Sequence, residues 1–280
     1  MQLVYPPPFG ADNNPHRTDP VDEFLQYPYN CCGRQTEFPC RGYLKLLGTP
    51  QGAPTASWPA GSEQSWSIAG IGNHYGGSCQ VGFSIDQGKT WQVATSYHGN
   101  CPHRNGGNDA SGQNFKFTVP ADMPNGEAVF AWTWYNREQE FNMNCAAVKI
   151  TGGQEFAEKK DSAPAYAAPT DKKPGLLATE STYTDSNGCT CSCPANPISK
   201  RALGYHALHG GVHIKRSGDQ HQKRTGTAYA NRPSMMFAAI DEGCSTPQTS
   251  AETKFANPGP EVVEGDGEYP LELPTGNCEQ

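Results

Sequence analysis

Apolar and polar residues alternate in short runs through the first half of the chain. Between Glu127 and Tyr135, Phe130, Trp132 and Trp134 fall on one face of an extended segment, and Val129, Ala131 and Thr133 on the other. That period of two marks a strand packed on both sides. Similar runs, each bounded by Gly, Pro, Asn or Asp, predict strands over residues 1–5, 63–71, 79–85, 90–95, 114–119, 127–135 and 143–150. Asp86-Gln87-Gly88-Lys89 reads as the tight turn of a hairpin. Short strands separated in this way predict a mainly β fold, an immunoglobulin- or fibronectin-like β-sandwich with long loops. Asp22 to Tyr29 reads as a helical turn, and Asn30 to Trp58 as a long loop packed over one end of the sheet.

The pattern changes near Thr151. All five Trp (58, 66, 91, 132 and 134) precede that point, whereas Gly152 to Asn187 is mostly Ala, Pro, Lys, Ser, Thr and Glu. Such a segment buries too little apolar area to offset chain entropy. The expected organisation is a sandwich domain over 1–151, a disordered linker over 152–187 and a loop-rich, Cys-containing, largely disordered region over 188–280. Charge is uneven in the last part. Lys200 to Arg232 holds seven Lys or Arg against Asp219 alone, and Asp241 to Gln280 holds nine acids against Lys254. Both blocks read as solvated stretches. The net charge of −7 over 280 residues argues against a nucleic-acid partner, and no apolar run approaches the ~18 residues of a membrane span.

Eleven cysteines place the protein in an oxidising setting, secreted or wall-associated, and the odd number leaves at least one outside intramolecular pairs. The start lacks the charged and apolar regions of a signal peptide, so the expectation is a mature or trimmed form in which Met1 is not the initiator. Cys79 and Cys101 flank the hairpin, and Cys40 lies where it can pin the long loop to Cys145; spacing alone leaves the connectivity open. Adjacent Cys31 and Cys32 are expected to reach different partners. Cys189, Cys191 and Cys193, with Cys244 and Cys278, read as anchors of the tail, a soft-metal site being the less favoured alternative in such a compartment. The dibasic pairs at 200–201, 215–216 and 223–224 are candidate processing sites. His209 and His213 have metal-ligand spacing only on a helix, which Gly210 and Gly211 disfavour.

The candidate chemistry lies in three segments: Met1-Gln2-Leu3-Val4-Tyr5-Pro6-Pro7-Pro8-Phe9, the run from Asn73 to Gln80 (NHYGGSCQ), and the run from Phe130 to Cys145 (FAWTWYNREQEFNMNC). His74, just ahead of Gly76-Gly77, can present an imidazole at the sandwich rim. Together these segments resemble the chitin-active fungal lytic polysaccharide monooxygenases, auxiliary activity family eleven. The resemblance covers about residues 1–151. It implies a copper ion held by an N-terminal histidine, here expected immediately before Met1, and by His74 as second ligand. Copper held by imidazole and amine nitrogens suits oxidation of a C–H bond on a polymer surface, because it cycles between two oxidation states and leaves positions open. The resemblance also implies a supporting acid at Glu140, and it puts Asn142 at the axial position where the family carries tyrosine. It supports the pairs Cys40–Cys145 and Cys79–Cys101.

The leading expectation is a secreted copper-dependent monooxygenase acting oxidatively on β-1,4-glycans such as chitin, with an external electron donor. A second class is a non-catalytic copper-binding or wall protein on the same scaffold, favoured by Asn142 and by the absence of the histidine from this sequence. A third is a metal-free glycan-binding module, with Tyr27, Tyr29 and Tyr75 as its surface aromatics.

Overall fold

A computed structural model describes residues 1–153, 227–238, 243–276 and 278, with the backbone of two short paired strands, Tyr183–Thr184 and Thr190–Cys191. The expectations for the linker beyond Gly153, the dibasic pairs, the 206–221 histidines and the side chains of Cys189, Cys191 and Cys193 lie outside the described residues. Among the described residues no helix is long and apolar enough to cross a membrane.

The first half forms eight strands: β1 (Gln2–Tyr5), β2 (Ala56–Pro59), β3 (Glu63–Ala69), β4 (Ser78–Ser84), β5 (Gln92–His98), β6 (Asn114–Thr118), β7 (Gly126–Tyr135) and β8 (Phe141–Thr151). One sheet has the order β1-β3-β6. The other runs Val262–Glu264, β5, β4, β7, β8, β2. The two sheets enclose a core of Trp58, Trp66, Phe83, Phe117, Phe130, Trp132 and Trp134. Trp58 meets Phe83, Phe117 and Phe130 edge-on, with ring centroids 5.3–6.2 Å apart. Aromatic pairs of this kind add about 0.5–1.5 kcal/mol each beyond area burial.

β7 is packed on both faces, as its alternation requires. Phe130, Trp132 and Trp134 enter the inter-sheet core, while Val129, Ala131 and Tyr135 enter a second apolar layer with Phe9, Tyr29, Phe141, Met235, Phe237 and Phe255. That outer layer is covered by the long loop and by chain from beyond residue 226. The loop is held by Cys40–Cys145 and the end of the hairpin by Cys79–Cys101, with Cα–Cα distances of 5.4 and 5.7 Å.

Several expectations need correction. Residues 23–26 form hydrogen-bonded turns rather than a helical segment, and the long loop contains 3-10 helices at Cys40–Leu46 and Pro50–Gly52. β2 emerges from that loop because it completes the open edge of β8 in parallel register, from Ala56↔Val148 to Pro59↔Thr151. Cys31 and Cys32 pair with each other. The end of the chain is not set apart from the sandwich: Met1–Ala157 and Arg224–Gln280 fall in one compact unit. Val262–Glu264 adds to the edge of β5, and Cys244–Cys278 closes the segment around it. Met235 and Phe237 belong to a short apolar run, Met235-Met236-Phe237-Ala238, that was not read as core, whereas Phe255 stands alone among polar residues; all are buried.

Candidate metal centre

His74 sits on the loop entering β4, where four consecutive residues have positive φ: His74 (45°), Tyr75 (55°), Gly76 (104°) and Gly77 (120°). Left-handed backbone is costly for His and Tyr, and it persists only where the surroundings enforce it. Those surroundings are explicit. Asn73 Oδ1 accepts from the Tyr75 amide (3.1 Å), Gly76 N donates to Asn73 O (2.9 Å), and Trp134 Nε1 donates to Gly76 O (3.1 Å). A Cβ on Gly77 would stand 2.3 Å from the Tyr135 carbonyl oxygen, so the approach of this loop to β7 requires glycine.

The facing loop joins β7 to β8. Asn136, 2% exposed, organises it: its Oδ1 accepts from the amides of Glu138 (2.9 Å) and Glu140 (3.0 Å), and its Nδ2 donates to Glu140 Oε2 (2.5 Å). This Asx-type turn projects two carboxylates towards His74. His74 Nδ1 lies 3.0 Å from Glu138 Oε2, and the ring meets Trp134 edge-on at 5.6 Å. His74, Glu138 and Glu140 present ligand-type atoms that all lie within 4.8 Å of one another. With Nδ1 donating to Glu138, the imidazole leaves the Nε2 lone pair free, the arrangement in which a carboxylate orients a metal-binding histidine. Glu138 was missed in the sequence. Its signal was membership of the same tight loop as Glu140.

The chain start converges on the same place. Met1 is 1% exposed, its nitrogen donates to Gln26 O (3.1 Å), and the charge of Glu140 favours the protonated form. Burial nevertheless pushes a terminal amine here down to about 5. Asn142, on β8 and 1% exposed, points its Nδ2 at Met1 O (3.5 Å) and Gln26 O (3.4 Å). Its Oδ1 is buried without a partner. Asn142 therefore faces the chain start, while Phe141 turns the opposite way into the outer layer with Tyr29 and Tyr135.

The three aromatic candidates separate. Tyr75 is 71% exposed beside His74, with Ile71 exposed on the same loop. Tyr27 is half-buried against Phe24. Tyr29 is corrected: it is a core residue, 7% exposed, whose hydroxyl accepts from the Arg41 amide and whose pKa burial pushes up to about 12.

As donors, the described residues supply one imidazole and two carboxylates. That set can hold a divalent cation but falls short of the nitrogen-rich environment that suits both copper oxidation states.

No family model matches the chain. Three curated proteins do. It is 40% identical over 156 residues to AA11 family lytic polysaccharide monooxygenase A of Aspergillus fumigatus, covering 55% of this chain and 65% of that one. It is 30% identical over 167 residues to AA11 family lytic polysaccharide monooxygenase B of the same species, covering 55% and 39%. It is also 30% identical over 205 residues to an AA11 family lytic polysaccharide monooxygenase of Aspergillus oryzae, covering 68% and 43%. The chain thus spans less than two thirds of the length of each of these relatives. With the mainly β sandwich and the His74 loop at its rim, the chain is by sequence a relative of the fungal AA11 family lytic polysaccharide monooxygenases.

Proposed function

We propose that the protein is a secreted copper-dependent monooxygenase acting oxidatively on a β-1,4-linked glycan, chitin being the first candidate, with electrons from an external donor. The observation that supports this reading is the meeting of His74, its Nδ1 held by Glu138, with Glu138 and Glu140, whose ligand-type atoms all lie within 4.8 Å of one another beside the buried chain start. A histidine immediately before Met1 would add its own ring and amine to His74 Nε2, giving three nitrogen donors. Copper held by them would supply one-electron redox chemistry at an exposed surface. Glu138 fixes the tautomer and orientation of His74. Glu140, tethered by Asn136, stands ready to hold or pass a proton at its Oε atoms. Tyr75 and Ile71 offer apolar surface against which a sugar ring can lie.

The test is incubation of the secreted protein with β-chitin, copper and ascorbate, followed by mass spectrometry of the soluble products. Oligosaccharides carrying the added oxygen support the reading. Copper binding without such products from chitin or cellulose would favour the non-catalytic alternative, for which Asn142 at the family's tyrosine position is the specific observation.

A further inference from the structure

The chain beyond residue 243 reaches both loops of the site. Glu252, 2% exposed, is the centre of the first contact. Its Oε1 accepts from Gly77 N (2.9 Å), Asn100 N (3.1 Å) and Arg104 Nη2 (3.1 Å), and its Oε2 accepts from Arg104 Nη2 (3.2 Å). Arg104 spends its other donors on Asp266, through Nε (2.7 Å) and Nη2 (2.8 Å), and on the carbonyl of Tyr75. A carboxylate 175 residues away in sequence thus fixes the Gly77 amide, and through Arg104 it holds the Tyr75 carbonyl, both within the strained turn that begins at His74. The second contact is with the carboxylate loop. Gln139 Nε2 donates to Thr246 O (2.6 Å), Thr249 N donates to Arg137 O (2.7 Å), and the Arg137 guanidinium lies 3.4 Å from the centre of the Tyr269 ring.

A buried carboxylate that accepts from two backbone amides and a guanidinium is fully satisfied, and breaking such a network leaves charges without partners. Elsewhere the segment packs on the sandwich through Phe255 and the edge strand Val262–Glu264, away from the His74 turn. The His74 turn requires an external restraint to hold non-glycine residues at positive φ.

We infer that the segment from Cys244 to Cys278 is a clamp for the metal centre, with Glu252 as a positioning residue that sets the His74 loop against the Glu138–Glu140 loop. The inference rests on the proposed metal site only for its consequence and not for its geometry. The test uses the full chain with Glu252→Ala and Glu252→Gln. In the metal-free protein, hydrogen exchange at the Gly77 and Asn100 amides should accelerate about tenfold or more in Glu252→Ala, with exchange across β7 unchanged. Glu252→Gln retains one acceptor oxygen and should fall between, and it gives the reading if the alanine variant does not fold. In Cu(II) titrations, Glu252→Ala should weaken binding and alter the electron paramagnetic resonance spectrum, with Glu252→Gln partly restoring both.

Uniform acceleration through β7, or unchanged exchange at Gly77, would overturn the clamp. So would an unchanged Cu(II) spectrum and affinity in a folded Glu252→Ala protein. If the unaltered protein binds no Cu(II), the metal reading fails, while the exchange data still decide the clamp.

Discussion

His74 and Glu138 form the pair on which the chemistry turns. The 3.0 Å contact fixes which ring nitrogen carries the proton, so the two residues should fail differently when altered. His74→Ala should cost at least a hundredfold in Cu(II) affinity, whereas Glu138→Gln, which keeps an acceptor, should cost on the order of tenfold. Isothermal titration of both variants checks the order, and equal losses would mean that Glu138 is itself a ligand. Asn142→Tyr should leave affinity largely intact and change the Cu(II) spectrum, because an axial oxygen tunes more than it holds. Loss of binding in that variant would show that contact with Met1 O and Gln26 O, and not axial donation, is what matters at this position. His74, Glu140 and Asn142 were readable from three short motifs. Glu138 was signalled only by its place two residues before Glu140 in the same loop, and Glu252 was not signalled, because a single acid in a polar tail carries no periodic signal. Tyr29 misled for the reverse reason: a tyrosine in a loop gives no sign of whether its ring is buried.

Among the elements, two loops and one edge strand decide the site. Gly77 has φ of 120° and no room for a Cβ beside the Tyr135 carbonyl. Gly77→Ala should therefore destabilise the protein by about 2–4 kcal/mol and shift the His74 loop, as read by thermal unfolding and amide exchange. The edge strand Val262–Glu264 docks on β5 beside His98, which is 4% exposed, receives the Phe255 amide on Nε2 (3.2 Å), stacks on the Phe255 ring and has Nδ1 3.4 Å from Glu264. Burial lowers the His98 pKa below its ordinary value of 6.5, outweighing the opposing pull of Glu264. The unfolded chain then binds this proton more readily than the folded one. The stability contributed by neutral His98 is complete above about pH 6.5 and is lost as pH falls through the lower folded value. The melting temperature of the full chain should drop between pH 7 and pH 5, and His98→Gln should flatten that part of the profile. An unaltered profile in His98→Gln would remove His98 from the account. The strands of the first half other than β2 were legible because apolar residues recur along them, on one face in β6 and on both in β7. The strands after residue 243 are two or three residues long, too short for a periodic signal; Val262–Glu264 forms on the open edge of β5, and the others pair among themselves.

For the whole molecule, the boundary near residue 151 was drawn from a real change in composition, but the short apolar run after Ser234 was too brief to change the average of the tail. Residues returning after 226 bring a few large side chains, among them Met235, Phe237 and Phe255, that complete the outer layer. Cys40–Cys145 spans 105 residues, so its removal should cost about 4–5 kcal/mol by the loop-entropy relation, against about 3 kcal/mol for Cys79–Cys101, which spans 22. Denaturant unfolding of the paired Cys→Ala variants measures the difference, and equal costs would point to native-state packing as the cause. The central proposal is that a histidine immediately before Met1 completes a copper site with His74. N-terminal sequencing combined with native mass spectrometry of the secreted protein, with and without chelator, tests it most directly. The account predicts histidine immediately before Met1 and one copper ion per chain, removed by chelator; a mature chain beginning at Met1 or after another residue, with no bound copper, would contradict it.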